Sequence, residues 1–510
     1  MIRILRGPGD QLLSSYGRNF AAAATGPLSG LRIVDLSRIL AGPSATQMLA
    51  DMGAEVIKVE SPKSGDDTRR YAPPYLQKMQ GRESDSEVAA YYASCNRNKY
   101  SVAVDFKKKE GQEVVKKLME SADVVIENFK AGGLAKYGLA YPDIKDRYPS
   151  LIYCSITGFG HTGPYSKRPA YDMLIQAMGG SMSLTGEPDG APMKTGLSLF
   201  DLCAGLHGVI GILAALRNKH VTGLGQHVDI SMLDVAVSLL ANQGMNYLAK
   251  KERQKRVGNN HPNVVPYQVM PASDGYFILT ASNNDQFERF CKVAGRLDLM
   301  EDERFNTMKA RVVHRPHVTP ALNEITSQHP KGWWLEHLQK EMVGCAPILH
   351  LDEVFADPHV QSRDMEIQMN LPGFDDPVSL IGSPMKFSRT KVDYRLPPPR
   401  VGEHTEQILT EYGFSQTEIQ DLHDIGAIDN AKFEIASPQR PLAKKKKRRQ
   451  VISLDDDEGP GATWDMLRSV SIPVLADAED EDHSELRSLS DALAGSAGSA
   501  PRRRDISAFS

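Results

Sequence analysis

Between residues 30 and 225 the chain alternates short apolar runs with stretches of helical periodicity, and this alternation limits the fold more than any other feature. Residues 31–36 are mostly apolar, with β-branched Ile33 and Val34, and lead into a loop at 37–43. Ser44 stands where a helix N-cap is expected, ahead of Thr46, Met48, Leu49 and Met52, and Gly53 closes that helix. Residues 55–60 read as the next strand. Strand, loop, helix and strand take about thirty residues, the size of one βαβ crossover. The pattern returns with strands at 100–105, 123–128 and 151–156 around helices at 110–121 and 142–148. Such repeats predict an α/β fold with a Rossmann-like, mainly parallel sheet covered on both faces by helices.

Beyond residue 223 the texture shifts. A strand at 226–230, a long apolar helix over 233–248, a strand at 275–280, helices at 286–295 and 333–342 and a late strand at 384–387 suggest a second, smaller α/β domain. The expected division is a large domain over 27–222, a small domain over 223–330 and a return to the large domain over 331–432. The most apolar stretch, 204–216, falls short of the roughly 20 residues that span a bilayer; a buried helix is expected there, and no membrane partner.

The two ends differ from the body. Residues 1–26 carry Arg3, Arg6 and Arg18 against one acid, Asp10, which fits an organelle transit peptide; the alternative is a disordered leader. Residues 437–510 join a basic run at 444–449 to acids at 455–458 and a Ser/Ala/Gly-rich finish. That charged tail is expected to be disordered, because like charges repel and few apolar groups offset the entropy of ordering. The basic run is read as solvated charge in preference to a nuclear-localisation or anion-binding patch. Over the whole chain 60 Lys and Arg stand against 64 Asp and Glu, a net charge of −4, so nucleic acid is not an expected partner of the body. Five scattered cysteines, without CxxC or Cys/His spacing, support neither a disulfide framework nor a metal site and fit a reducing compartment.

Ligands of parallel sheets bind at the C-terminal strand ends, here the loops 37–43, 61–70, 128–138 and 157–165. Lys63, Gly65, Arg69 and Arg70, the Asn96-Arg97-Asn98-Lys99 run, and Lys130 with Lys136 supply cations and flexible backbone for a phosphate-rich, nucleotide-like ligand. Glu60 stands where a ribose-binding acid is expected, yet the first loop reads Ser-Arg-Ile-Leu-Ala-Gly-Pro instead of G-x-G-x-x-G, and Pro43 withholds an amide from a pyrophosphate. A dinucleotide site is therefore not expected. Asp201 opens the most apolar helix, where partial desolvation raises a carboxyl pKa and the helix dipole offsets part of that cost; the plain alternative is a helix N-cap. Asp172 is a second carboxylate in apolar context. Two such groups near a nucleotide-like site permit acyl transfer through a mixed anhydride or general acid–base work. No G-x-S-x-G elbow or HExxH helix is present.

Several stretches resemble the class III coenzyme A transferases: Gly30-Leu-Arg-Ile-Val-Asp-Leu-Ser, Ala41-Gly-Pro, Gly53-Ala-Glu-Val-Ile-Lys-Val-Glu, Gly65-Asp-Asp-Thr-Arg, Asn96-Arg-Asn-Lys, Glu127-Asn-Phe, Ser155-Ile-Thr-Gly-Phe-Gly-His-Thr-Gly-Pro and Thr222-Gly-Leu-Gly-Gln-His-Val. They run in one order over about 28–432. Val265-Pro-Tyr-Gln, Ser282-Asn-Asn-Asp-Gln-Phe and Pro397-Pro-Pro with Gly402-Glu-His-Thr resemble the succinate–hydroxymethylglutarate branch. The resemblance implies Asp201 as the catalytic nucleophile, forming an aspartyl anhydride and then an aspartyl thioester. It implies an acyl-coenzyme A thioester and a small carboxylic or dicarboxylic acid as substrates, no tightly bound cofactor, no metal, and an interlocked homodimer. Contacts to coenzyme A are expected from Ala41, Arg69, Asn98, Lys99, Asn128, Phe129 and Lys136, and to the substrate acid from Tyr171 and Asp172. With the leader, it implies the mitochondrial matrix, with cytoplasm or peroxisome as alternatives.

Departures from the family pattern sharpen the expectation. Formyl-coenzyme A enzymes carry a glutamine where this chain has Leu40 and a glycine-rich lid at 259–262, so an acceptor other than oxalate is expected. Two coenzyme A arginines of that branch correspond to Lys136 and Ser61; Lys136 keeps the charge without the bidentate fork, and Lys63 or Arg69 is expected to replace the other. Arg69 alternatively anchors the distal carboxylate of a dicarboxylate. Racemases of 2-methylacyl-coenzyme A share the fold but place a histidine at Tyr171. A phenol of pKa about 10 is a poor second base at neutral pH, so transfer is favoured over racemisation. An inactive coenzyme A-binding scaffold with an interaction tail is the non-enzymatic alternative.

Overall fold

The computed structural model describes residues 26–76, 88–372 and 374–429. The expected leader (apart from Gly26), the tail and its basic run lie outside the described residues. Seven strands form the main sheet in the order β12-β3-β2-β1-β4-β5-β6. They are β1 (Arg32–Asp35), β2 (Glu55–Glu60), β3 (Lys99–Val104), β4 (Val124–Glu127), β5 (Ile152–Thr157), β6 (His227–Ser231) and β12 (Ile428–Asp429). Neighbours from β3 through β6 pair in parallel, and β12 closes one edge antiparallel to β3.

Strand alternation sends adjacent residues to opposite faces. Ile33, Val56, Val124 and Ile152 enter one core, while Val34, Ile57, Val125 and Tyr153 enter the other. Helices α1 (Ala41–Asp51) and α4 (Leu199–Thr222) cover the first face through Leu49, Phe200, Val209 and Ile212. Helix α2 (Lys109–Met119) covers the second through Val114, Val115 and Leu118. The α/β expectation therefore holds, with both sheet faces buried as apolar parallel strands require.

Several boundaries move. Helix α1 begins at Ala41 and not after Ser44, because Gly42 and Pro43 fit a first turn in which a proline lacks only an unneeded N–H. The expected long helix over 233–248 is two, α5 (Met232–Ser238) and α6 (Ala241–Lys250), divided where Ala241 takes φ +44° and Ser238 Oγ donates back to the Val235 carbonyl at 2.8 Å. No strand forms at 384–387: Pro384 has no N–H to give, and the Ser383 amide is spent on the Tyr394 hydroxyl at 2.8 Å. The local pair is instead β10 (Glu366–Met369) with β11 (Val378–Ile381), antiparallel.

The second sheet is β7 (Tyr267–Ala272), β8 (Gly275–Thr280) and β9 (Gly344–Pro347), all antiparallel. Helices α7 (Asn284–Val293), α8 (Arg315–Thr326) and α9 (Lys331–Lys340) surround it, with Phe277, Phe287, Phe290, Leu322 and Trp334 buried between them. Since β6 pairs with β5, the chain leaves the main sheet after Ser231 and not at 222; since β9 pairs with β8, the small sheet ends at Pro347 and not at 330.

Helix α4 is not buried all round. Phe200, Ala204, Gly205, Gly208, Val209, Ile212 and Ala215 face the core, while Leu202, Leu206, Ile210 and Leu213 lie on the surface. The small residues let α4 approach α1 closely. A Cβ built on Gly205 would lie 2.6 Å from the Ala41 carbonyl oxygen and 2.6 Å from Ser44 Oγ. Gly205→Val is expected to push the helices apart and destabilise the fold by about 1–3 kcal/mol, read as a lower urea midpoint; an unchanged midpoint would show that the contact is not tight.

Candidate active site

The strand order reverses between β1 and β4, and the crevice outside their C-terminal ends is the switch point at which α/β sheets take ligands. Loop 37–43 leaves β1 there and loop 128–138 leaves β4. Asn128 joins them: its Oδ1 accepts from the Arg38 amide at 2.8 Å, and its Nδ2 donates to the Arg38 carbonyl at 2.6 Å. The Arg38 guanidinium lies 5.3 Å from the centre of the Phe129 ring and 3.2 Å from Asp67 Oδ2. Below, Glu127 accepts from the Phe129 amide at 2.7 Å, and its carboxyl is pushed up to about 7 by burial, with Asp229 adding to the effect.

Asp201 stands one helical turn before Gly205, on the face of α4 that meets the start of α1. It occupies the first turn of the helix; Ser198 holds the N-cap position. Its neighbour Asp172 begins α3 (Asp172–Met178). Asp172 Oδ1 accepts from the Phe200 amide at 2.7 Å and the Asp201 amide at 3.3 Å, and Oδ2 accepts from Gln176 Nε2 at 2.5 Å. Asp172 thus satisfies the open N–H groups of α4 from outside the helix. Burial first, and then the Asp172 charge, push the Asp201 carboxyl up to about 7. Tyr91 faces the same carboxylate, and burial together with the Asp201 charge lifts its phenol to about 12. Tyr71 meets Tyr91 edge-on at 5.6 Å, and exposed Tyr171 lies close enough to help raise the Tyr71 phenol, after burial and Asp67.

The other expected ligand contacts divide. Ala41 is the first residue of α1, where backbone amides lack partners within the helix, and Phe129 supports Arg38. Lys136 is exposed, 5.0 Å from the Tyr137 ring centre. Three expected contacts are instead taken up by the protein. Lys99 is fully buried and donates to Asp35 Oδ2, the Pro43 carbonyl and Asn96 Oδ1 at 3.2, 2.9 and 2.9 Å. Asn98, also buried, donates to Asp51 and the Asp393 carbonyl and accepts from the Arg395 and Leu396 amides. Arg69 grips Glu60 at 2.8 and 2.7 Å, donates to Tyr92 Oη and the Pro399 carbonyl, and lies over the Tyr92 ring, 3.7 Å from its centre. These side chains serve as internal anchors between segments, and a ligand reaching them would have to displace buried charge partners. Arg38, Tyr91 and Glu127 are the additions that sequence reasoning missed. Arg38 sat in the first loop, but the approach of its guanidinium to Phe129 and the hold of Asn128 on its main chain show only in the folded structure.

Residues 28–405 match the profile of CoA-transferase family III. The chain belongs to that family. It is therefore a coenzyme A transferase. It is 45% identical over 391 residues to a succinate–glutarate CoA-transferase of Agrobacterium fabrum, covering 76% of this chain and 95% of that one. It is 38% identical over 404 residues to a succinyl-CoA:glutarate CoA-transferase of Homo sapiens, covering 79% and 90%. A solved CaiB/BaiF family protein of Brucella suis matches with 47% identity and a TM-score of 0.67, covering 76% of the transferase and 100% of that structure.

The environment of Asp201 has a measurable cost. A carboxyl that holds its proton to about 7 when folded, against an ordinary value of 3.8, binds more protons in the native state between those values. Its contribution to stability therefore falls as pH rises from about 4 to 7 and stays low above. Asp201→Asn in the transferase should match wild type near pH 4 and exceed its Tm by roughly 2–5 °C at pH 8. Parallel Tm profiles across that range would refute the assignment.

Proposed function

We propose that the transferase moves coenzyme A from succinyl-coenzyme A to a small dicarboxylic acid, with Asp201 as nucleophile. The observation that carries this reading is a half-buried carboxyl at the start of a helix, raised to about 7 by burial and Asp172 and facing a neutral phenol, beside the switch-point crevice. The names of the relatives supply the acids: succinate and glutarate.

The ionised Asp201 oxygen attacks the thioester carbonyl; the new O–C bond forms, the C–S bond breaks, and the electron pair leaves on sulfur as coenzyme A thiolate. The thiolate attacks the aspartyl carbonyl of the resulting anhydride, releasing the first acid as carboxylate and leaving an aspartyl thioester. The acceptor carboxylate displaces the thiolate to make a second anhydride. The thiolate then takes the acceptor acyl group and frees Asp201. Every step exchanges one nucleophile for one leaving group, so no oxidant and no net proton are consumed. A carboxyl near 7 is ionised in half the molecules at neutral pH while keeping more basicity than a solvent-exposed aspartate. Tyr171, exposed at the N-cap of α3 where a racemase would carry a histidine, favours transfer over α-proton exchange.

The assembly in this reading is a homodimer. Its support is the exposed apolar stripe of α4, where Leu206 is 48% and Ile210 64% accessible. Contiguous apolar surface of that kind marks association sites. The mitochondrial matrix is likewise our reading and rests on the basic, acid-poor leader.

Purified protein given succinyl-coenzyme A and glutarate or hydroxymethylglutarate is expected to form the new thioester, and hydroxylamine to trap a hydroxamate at Asp201. Asp201→Ala should lower kcat by about a thousandfold or more. Exchange of the α-hydrogen of a 2-methylacyl thioester without transfer would replace this reading with racemisation, and coenzyme A binding with neither reaction would leave a scaffold.

The ionisation also gives a pH signature. The rate should rise with pH to a plateau above about 7, and Asp172→Asn, which keeps the cap acceptor but removes the like charge, should move that rise to lower pH. An inflection that Asp172→Asn leaves in place would refute the coupling. Ile210→Glu should turn a dimer into monomer by sedimentation; a dimer unaffected by it would assign the interface elsewhere.

A further inference from the structure

Three successive residues after β1 are each held by a side chain from another loop or strand. The Ser37 carbonyl accepts from Lys58 Nζ at 2.9 Å. The Arg38 amide and carbonyl both pair with the Asn128 side chain. The Ile39 amide points at the Asp66 carboxylate, 3.2 Å from Oδ1 and 3.3 Å from Oδ2. Asp66 is fixed in turn by Lys58 Nζ at 2.9 Å, the Thr68 amide at 3.0 Å and Thr68 Oγ1 at 2.7 Å.

The restraint has a visible effect on the backbone. Ile39 takes φ +70°, in the left-handed region that a β-branched side chain disfavours and glycine or asparagine would occupy easily. A conformation of this kind persists only where the surroundings impose it, and such strain gathers at ligand-binding loops. Its consequence is directional. The left-handed turn lets the chain reverse from β1 into α1 within a few residues, while the Arg38 side chain emerges over Phe129 at the mouth of the crevice, half exposed. Asn128 itself is not buried, so its two hydrogen bonds serve the loop and not a core.

Resting on the reading that this crevice takes acyl-coenzyme A, we propose that Asn128 and Asp66 are positioning residues that impose the strained Arg38–Ile39 conformation and thereby present the Arg38 guanidinium to a phosphate of coenzyme A. Asn128 then acts through Arg38 and not as a ligand contact. A guanidinium backed by an aromatic face and held by its own main chain loses little freedom when it meets a phosphate, which is how preorganisation raises affinity.

The test is titration calorimetry of free coenzyme A with the full chain, alongside KM values for acyl-coenzyme A and for the acceptor acid. Asn128→Ala is expected to weaken coenzyme A binding by roughly tenfold and to raise the acyl-coenzyme A KM alike, while the acceptor KM stays within about twofold. Adding Ile39→Gly, which takes the left-handed φ without strain, should recover about half of that loss on a logarithmic scale. In an Arg38→Ala background, Asn128→Ala should cost no more than about a further twofold, since residues acting through one another are not additive. An Asn128→Ala protein with wild-type coenzyme A affinity, a double variant no better than Asn128→Ala, or full additivity with Arg38→Ala would each overturn this inference alone. Wild-type protein that binds no coenzyme A would overturn the transferase reading and this inference with it. Asn128→Asp, which keeps the acceptor for the Arg38 amide, should fall between wild type and Asn128→Ala; affinity equal to that of Asn128→Ala would count against the inference.

Discussion

A set of ion pairs sealed beneath the C-terminal strand ends governs the rest of the structure. Lys99 meets Asp35 at 3.2 Å with both side chains inaccessible, Lys58 meets Asp66 at 2.9 Å, and Arg69 meets Glu60 at 2.7 Å. Burial alone would drive the Asp35 carboxyl up, but Lys99 and Lys58, with the hydrogen bonds from Ser37 and Thr46, together hold it below its ordinary value. Pairs of this kind are poor evidence for net stability, since desolvation takes back much of the attraction. Their value here is directional. Each carboxylate also accepts from a loop: Asp35 from the Ser37 amide, Asp66 from the Ile39 and Thr68 amides, Glu60 from the Asp66 amide. Removing one acid would therefore leave a buried cation unpaired and free a ligand-facing loop together.

Two aspartates of identical chemistry receive opposite duties from their surroundings. Asp172 spends its oxygens on two backbone amides and a glutamine, so it is committed to holding the end of α4. Asp201, one residue beyond the capped amide of Phe200, inherits the desolvation of that helix start and the repulsion of Asp172. The cap and the charge come from the same side chain. The position of Asp201 at the helix start and its raised carboxyl thus both involve one neighbour, Asp172, which ties the geometry there to its ionisation.

The sheet was legible because short apolar runs and 3.6-period helices leave marks within one segment. Residues 55–60 and 275–280 are strands as expected, and Asp201 stood out because a carboxylate in an apolar run is conspicuous. What was not legible is long-range pairing. Lys99, Asn98 and Arg69 look like ligand cations and amides on a loop edge until Asp35, the backbone of 393–396 and Glu60 are brought beside them from far along the chain. The assignment of β6 to the main sheet was hidden for the same reason, since it depends on what the backbone meets and not on what it contains.

Helix α4 shows how one composition serves two environments. By length and apolarity alone it could cross a membrane, yet its residues are sorted by size. Ala204, Gly205 and Gly208 face α1 and the sheet, where a Cβ on Gly205 would collide with Ala41 and Ser44 and one on Gly208 would sit tightly at 3.1 Å from Ile156. Leu202, Leu206, Ile210 and Leu213 face outward. Within this fold the asymmetry packs α4 closely against α1 and the sheet and so brings Asp201 to the start of the neighbouring helix. The small face draws Asp201 into place, and the large face leaves an apolar surface that water does not favour. In our reading the proposed nucleophile and the proposed dimer face therefore lie on one helix.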